Sequence, residues 1–230
     1  MDIFSALKKA DKYLKINNIK SSRLDSEILL SKAINRDRKY IILNSKKKLS
    51  NKLFSCFKKL VIQRSKGTPI AYLLEKKEFW KYEFKITKNV LIPRPDTELI
   101  IEEALKISKN KFKLKVLDIG VGSGCIILSI LKERKDFNGV GIDISRKSIG
   151  LSKLNSLNLG VQNRVKLIKT DVDNFNYGKY DLIISNPPYI KKLDLKKLDK
   201  DVINFEPKLA LDGGLDGLSK IRKIIKKSSE

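Results

Sequence analysis

The chain has 230 residues, of which 41% are hydrophobic, and a formal net charge of +24. No apolar run reaches the roughly 18 residues that a membrane-spanning helix needs, and the N-terminus lacks the layout of a signal peptide, so we expect a cytoplasmic protein with no membrane partner. Histidine is absent and the two cysteines, Cys56 and Cys125, lie far apart, which excludes histidine-dependent nucleophilic catalysis, the usual zinc sites and a disulfide framework.

The positive charge comes mostly from lysine, because only nine of the fifty basic residues are arginine. Lysine runs such as Lys46-Lys47-Lys48 are spread along the chain and do not form one patch. Net charge informs on non-specific binding and not on fold, so we favour compositional bias over a dedicated nucleic-acid surface. A nucleic-acid partner is possible on this interpretation but not favoured.

Residues 1–70 are predicted to form a small N-terminal helical domain. Apolar residues such as Ile3 and Leu7 recur at helical spacing, and Ser50 with Asn51 supplies an N-cap for a later helix. The segment contains no motif that carries chemistry. We therefore expect it to dock a substrate or to serve as packing.

The pattern changes twice after this domain. Residues 71–95 form a predicted connector, in which the aromatic and partly alternating segment 78–86 indicates a hairpin. Residues 96–230 then alternate strand and helix, which predicts a parallel, doubly wound α/β sheet. Its predicted strands are 116–119, 139–143, 165–168 and 180–185, and the helices between them are 123–134 and 146–157.

A glycine-rich segment follows the first of these strands and opens a helix, as in a cofactor-binding loop. Its residues are Gly120, Val121, Gly122, Ser123 and Gly124. Asp143 closes the next strand and can accept both hydrogen bonds from a ribose diol. The dinucleotide spacing is not met, and Asp118 suits a cationic sulfonium and amino group, so we predict S-adenosylmethionine rather than NAD as the cofactor.

Two residues after the third strand are further candidates. Asp171 either reaches the exocyclic amine of an adenine or is a solvated residue at the strand end, and both interpretations stay open. Val172 would give the adenine an apolar wall.

The string Asn186-Pro187-Pro188-Tyr189 follows the fourth strand, where open α/β sheets bind their ligands. The two prolines stiffen the turn. The Asn186 amide oxygen and the Pro187 carbonyl are both acceptors, and Tyr189 offers a flat face. We predict that this segment binds a planar –NH2 group.

With these motifs in this order, the chain resembles amino-methylating S-adenosylmethionine enzymes, several of which share the Asn-Pro-Pro-Tyr string. Segment 92–98 (Ile-Pro-Arg-Pro-Asp-Thr-Glu), together with 78–80 and the helical N-terminus, narrows the resemblance to the HemK/PrmC family. Segments 204–207 and 209–211 fit the same family. The resemblance implies a Rossmann-like methyltransferase sheet and methylation of the glutamine side-chain amide nitrogen in the Gly-Gly-Gln motif of class 1 peptide chain release factors.

The resemblance also implies residue roles. The glycine loop and Asp143 would hold the cofactor, with Val172 beside its adenine and Asn186 at its other end. Asn186 and the Pro187 carbonyl would accept hydrogen bonds from the substrate –NH2, and Tyr189 would pack on the glutamine amide beside Pro188. Arg94 and Glu98 would brace the site.

The resemblance also predicts three further strands after the fourth, whereas this sequence runs into a basic amphipathic segment at 220–227. We therefore expect a truncated methyltransferase domain over 96–230, with the Asn186 strand at a sheet edge. Two alternatives remain open, an adenine-N6 nucleic-acid methyltransferase and a truncated, non-catalytic remnant. We expect a monomer.

Overall fold

The computed structural model of the protein describes residues 1–229. The chain divides into two compact units, residues 1–75 and residues 76 onwards. Every residue of the candidate site lies in the second unit.

The first unit consists of five helices: α1 (Ile3–Ile16), α2 (Ser22–Ile34), α3 (Arg38–Leu43), α4 (Asn51–Ser65) and α5 (Ile70–Leu74). Asp2 caps α1, and Ser50 caps α4 as predicted, by accepting from the Leu53 amide at 3.3 Å. One stripe of each long helix enters a shared apolar core that includes Leu14, Leu29 and Phe57. The predicted N-terminal helical bundle is confirmed.

The second unit begins with an antiparallel hairpin of β1 (Lys76–Phe79) and β2 (Tyr82–Lys85), as predicted. Four parallel strands follow in the sheet order β5-β4-β3-β6, namely β3 (Lys115–Ile119), β4 (Asn138–Asp143), β5 (Val165–Lys169) and β6 (Leu182–Ser185). The α-helices described in the second unit are α6 (Glu98–Ile107), α7 (Cys125–Glu133), α8 (Arg146–Asn158), α9 (Lys200–Phe205) and α10 (Ser219–Ser228). The predicted parallel α/β sheet is confirmed, and in the described part of the chain β6 lies at an edge.

Register places the chemical motifs next to one another. Ile119 at the end of β3 pairs with Ile142 on one side and with Ser185 on the other. The segments that follow β3, β4 and β6 therefore all leave the sheet at the carboxyl ends of its strands. Helix α7, whose residues 125–131 are all buried, packs against β3 and β4.

Candidate active site

A cavity of about 380 Å³ opens at the carboxyl ends of the strands. This volume lies within the range of small-molecule sites, roughly 300–1,000 Å³. Most predicted site residues line it: Gly120, Val121, Gly122, Ser123, Asp143, Val172, Asn186, Pro187 and Pro188. The glycine loop and the Asn-Pro-Pro segment thus border one continuous space.

The backbone of the glycine loop is held by the neighbouring strand. The amides of Gly120 and Val121 both donate to the Ile142 carbonyl at 2.9 Å. Gly120 and Gly122 have positive φ, and a Cβ on Gly120 would meet no atom within 4 Å. The loop therefore leaves open space for a ligand against its backbone.

Gly124 does not line this cavity, unlike the rest of the predicted loop. It has φ +83°, directly precedes α7, and a Cβ there would lie 2.7 Å from Leu128 Cδ1. Helix α7 accordingly begins at Cys125 rather than at the predicted Ser123. The geometry at Gly124 serves the packing of helix on loop.

Asp143 lies at the end of β4 and anchors two backbone groups. Oδ2 accepts from the Gly122 amide at 3.0 Å and Oδ1 from the Ser145 amide at 2.8 Å. Each carboxylate oxygen has a further lone pair, so acceptor capacity for a diol remains. Both bonds fix the carboxylate at the cavity wall.

The segment after β5 contributes a polar and an apolar group to the cavity. Asp171 accepts from the Asp173 amide at 3.0 Å, capping a short 3-10 turn, and lines the cavity next to Val172. Val172 also packs against the hydrophobic cluster that includes Ile142 and Phe175. Asp171 is thus a capping residue that still borders the cavity.

Asp118 is a buried carboxylate behind the glycine loop, with 1% of its surface exposed. Among the described residues, neither of its oxygens has a hydrogen-bond partner. Burial raises the pKa of Asp118 to about 7, and the negative charge of Asp143 adds to the rise. Burial likewise raises the pKa of the cavity-lining Cys125 thiol to about 12, so this thiol stays protonated near neutral pH.

Asn186 lies at the other end of the cavity, directly after β6. Its Nδ2 donates to Thr97 Oγ1 at 3.0 Å. Within the described chain, no hydrogen bond engages its Oδ1. The side-chain acceptor of Asn186 is therefore free beside Pro187 and Pro188.

Tyr189 does not line the cavity, and 62% of its surface is exposed. Its backbone is instead packed against a glycine-rich turn, where a Cβ on Gly213 would lie 2.7 Å from Tyr189 Cα. The next residue, Ile190, donates to Leu211 O at 3.1 Å and accepts from the Gly213 amide at 2.9 Å. The Asn-Pro-Pro-Tyr segment is thus braced from its C-terminal side.

The cavity is also lined by residues for which the sequence predicted no contact with cofactor or substrate. The connector contributes Lys88, Asn89, Val90, Leu91, Pro93 and Arg94, and Thr97 follows it. Later segments contribute Pro207, Leu209 and Ala210, and α10 contributes Lys220, Lys223 and Ile224. The two walls are tied together by Glu206, which accepts from the Ile92 amide at 3.3 Å and pairs with the Arg94 guanidinium. Arg94 thus borders the cavity and is braced by Glu206, while Glu98 accepts from the Trp80 amide at 2.7 Å.

Comparison with known proteins decides the family. The PrmC N-terminal domain family matches residues 5–74, and the methyltransferase small domain family matches residues 96–212. A release factor glutamine methyltransferase of Clostridium acetobutylicum is 40% identical over all of this chain and 82% of its own length. The chain belongs to the release factor glutamine methyltransferase family. Two enzymes of the same name are also similar. The enzyme of Geobacter sulfurreducens is 39% identical over 95% of this chain and 76% of its own length. The enzyme of Buchnera aphidicola subsp. Baizongia pistaciae is 40% identical over 94% of this chain and 78% of its own length.

The release factor glutamine methyltransferase family is one of S-adenosylmethionine-dependent enzymes, so this chain is an S-adenosylmethionine-dependent methyltransferase, and the predicted cofactor is confirmed. In fold, the chain is similar to the hMettl16 catalytic domain, with a TM-score of 0.55 over 74% of this chain and 62% of that domain at 16% identity. The predicted methyltransferase fold is confirmed. Among the described residues, no helix is both long and apolar enough to cross a membrane.

Proposed function

We propose that this methyltransferase modifies the side-chain amide nitrogen of the glutamine in the Gly-Gly-Gln motif of class 1 peptide chain release factors. The observation that carries the proposal is the free Oδ1 of Asn186, which lies on the same cavity as the glycine loop. The names of the relatives support release factors as the substrate class. We further propose that the enzyme works as a monomer in the cytoplasm, where translation factors act.

The cofactor end of the cavity fits S-adenosylmethionine. The open space over Gly120 and Gly122 would take the methionine part, and the lone pairs left on Asp143 would accept the ribose hydroxyls. Val172 would flank the adenine, and Asp171 would lie within reach of its amine. Bound there, S-adenosylmethionine supplies an electrophilic methyl group.

The amide end of the cavity would bind and orient the nucleophile. A glutamine –NH2 has two N–H donors, for which Asn186 Oδ1 and the Pro187 carbonyl are the proposed acceptors. Because the lone pair of an amide nitrogen is delocalised, the nitrogen is a weak nucleophile and orientation matters. Near-attack positioning can contribute about 7–11 kcal/mol at best.

The residues around the reacting position would also exclude water. No histidine could act as a base, because the sequence has none. Pro187, Pro188 and Leu209 form apolar wall around the reacting position. After methyl transfer the amide nitrogen is cationic and strongly acidic, so its proton would leave to solvent without a protein base. We propose that Tyr189, exposed without substrate, packs on the glutamine side chain once the release factor is docked.

The proposal is tested with purified enzyme, labelled S-adenosylmethionine and a release factor beside its Gly-Gly-Gln glutamine-to-alanine variant. Label on the wild-type factor alone is expected. Label on a duplex DNA control would instead support the nucleic-acid alternative, and absence of label with a folded, cofactor-binding enzyme would support a non-catalytic remnant.

A further inference from the structure

The carboxamide of Asn186 can present two opposite faces to a substrate. With Oδ1 forward it accepts a hydrogen bond from an –NH2 group, and with Nδ2 forward it donates and repels that group. The carboxamide itself has no preference, so the orientation depends on a neighbouring group. In this structure that neighbour is Thr97, whose Oγ1 lies 3.0 Å from Asn186 Nδ2.

Thr97 is well placed for this role. It is 6% exposed and borders the same cavity as Asn186. A threonine at a helix start commonly caps the helix with its hydroxyl, but the Thr97 side chain makes no capping bond to α6. Its hydroxyl is therefore available to Asn186.

The surroundings fix both partners. The Thr97 amide donates to the Arg94 carbonyl at 3.0 Å, in the tight turn that begins with Pro95. On the other side, Ser185 Oγ donates to the Ile119 carbonyl at 2.6 Å and locks the residue before Asn186 to the neighbouring strand. The contact thus joins two rigid segments that lie 89 residues apart in sequence.

We propose that Thr97 is a positioning residue for methyl transfer. By accepting from Nδ2, its hydroxyl keeps Asn186 Oδ1 directed at the substrate nitrogen, so Thr97 acts through Asn186 and does not touch the substrate nitrogen itself. The inference rests on the proposed role of Asn186 and adds the group that sets the orientation of its carboxamide.

The matched variants are Thr97→Val, which keeps the shape and removes the hydroxyl, and Thr97→Ser, which keeps the hydroxyl. Loss of one neutral hydrogen bond corresponds to about a three- to tenfold change in the population of the productive orientation. We expect Thr97→Val to lower kcat by about that factor, and Thr97→Ser to stay within about twofold of wild type. Affinity for S-adenosylmethionine should be unchanged in both.

A double-mutant cycle with Asn186→Ala separates positioning from a structural effect. If Thr97 acts through Asn186, then Thr97→Val causes no further loss in the Asn186→Ala background. An equal loss in both backgrounds, a wild-type rate for Thr97→Val, or an equally impaired Thr97→Ser would each overturn the inference. If Thr97→Val does not fold, Thr97→Ala replaces it in the same comparison.

A second readout does not depend on activity. The side-chain NH2 signal of Asn186 in a nitrogen-15 NMR spectrum, assigned by its loss in Asn186→Ala, should exchange with solvent about tenfold faster in Thr97→Val than in wild type. Equal exchange would contradict the contact. A wild-type enzyme that leaves the release factor unlabelled would refute the proposed function, whereas the exchange measurement would still decide whether Thr97 holds Asn186.

Discussion

The ion pair between Arg94 and Glu206 predicts that removing the more exposed partner destabilises the enzyme more than neutralising the buried one. The Glu206 side chain is 2% exposed, whereas that of Arg94 is 40% exposed. Arg94→Met leaves a buried carboxylate without its cation. Glu206→Gln keeps an acceptor for the Ile92 amide and leaves Arg94 free to be hydrated.

The magnitudes follow from this asymmetry. Breaking a fully buried pair costs about 3–5 kcal/mol. Since water reaches Arg94, we expect about 2 kcal/mol for Arg94→Met and about 1 kcal/mol for Glu206→Gln. The double variant should be more stable than Arg94→Met alone, because it no longer buries an unpaired charge.

The assay is urea unfolding followed by tryptophan fluorescence. Trp80 is the single tryptophan of the sequence and lies in the hairpin turn of the second unit, so its signal reports the unit that contains the ion pair. The free energies of unfolding of wild type, both single variants and the double variant are compared. A double variant no more stable than Arg94→Met, or a Glu206→Gln variant less stable than Arg94→Met, would refute the reasoning.

Three further predictions concern the site. Gly124→Ala should lower the free energy of unfolding by about 1–3 kcal/mol, because Gly124 combines positive φ with a close approach to α7. The control Gly150→Ala, within α8, should raise the free energy of unfolding by about 0.5–1 kcal/mol, and equal effects of the two variants in urea unfolding would contradict the prediction. Asp118 has a folded-state pKa of about 7 against an unfolded value of about 3.9, so the folded state binds an extra proton in that interval. Stability should therefore fall as pH rises from about 4 to 7, and Asp118→Asn should lose this dependence; parallel pH profiles of the two proteins would argue against the raised pKa. Gly213→Ala should lower the melting temperature and slow methyl transfer, because its Cβ would displace the Tyr189 backbone, and a variant with wild-type melting and rate would show that the contact is unimportant.

Local sequence patterns predicted the elements, and most of the site residues predicted from them line the cavity. The regular succession of strand and helix segments predicted the parallel sheet, and the glycine run and the Asn-Pro-Pro string were each assigned to a strand end. These signals are local, because a strand, a turn and a helix start are set by neighbouring residues. The confirmed sheet therefore places Gly120 and Asn186 on one cavity, as their positions after β3 and β6 require.

The contacts that complete the site could not be predicted in this way. Arg94 and Glu206 are 112 residues apart, so their pairing depends on how the whole unit packs. Sequence reasoning gave Asp143 only a ligand role, but its carboxylate also holds the Gly122 amide. The apolar residues Val90 and Ile92, which are both buried, were the available sign that the end of the connector packs inward.

The most direct test of the central claim is single-turnover methyl transfer by Asn186→Ala, with the exposed Asn158→Ala on α8 as the matched control. If Asn186 Oδ1 accepts a hydrogen bond from the glutamine amide, Asn186→Ala should transfer label to the release factor at least about tenfold more slowly than wild type at saturating S-adenosylmethionine, while Asn158→Ala keeps the wild-type rate. A wild-type rate for a folded, cofactor-bound Asn186→Ala enzyme would contradict the account.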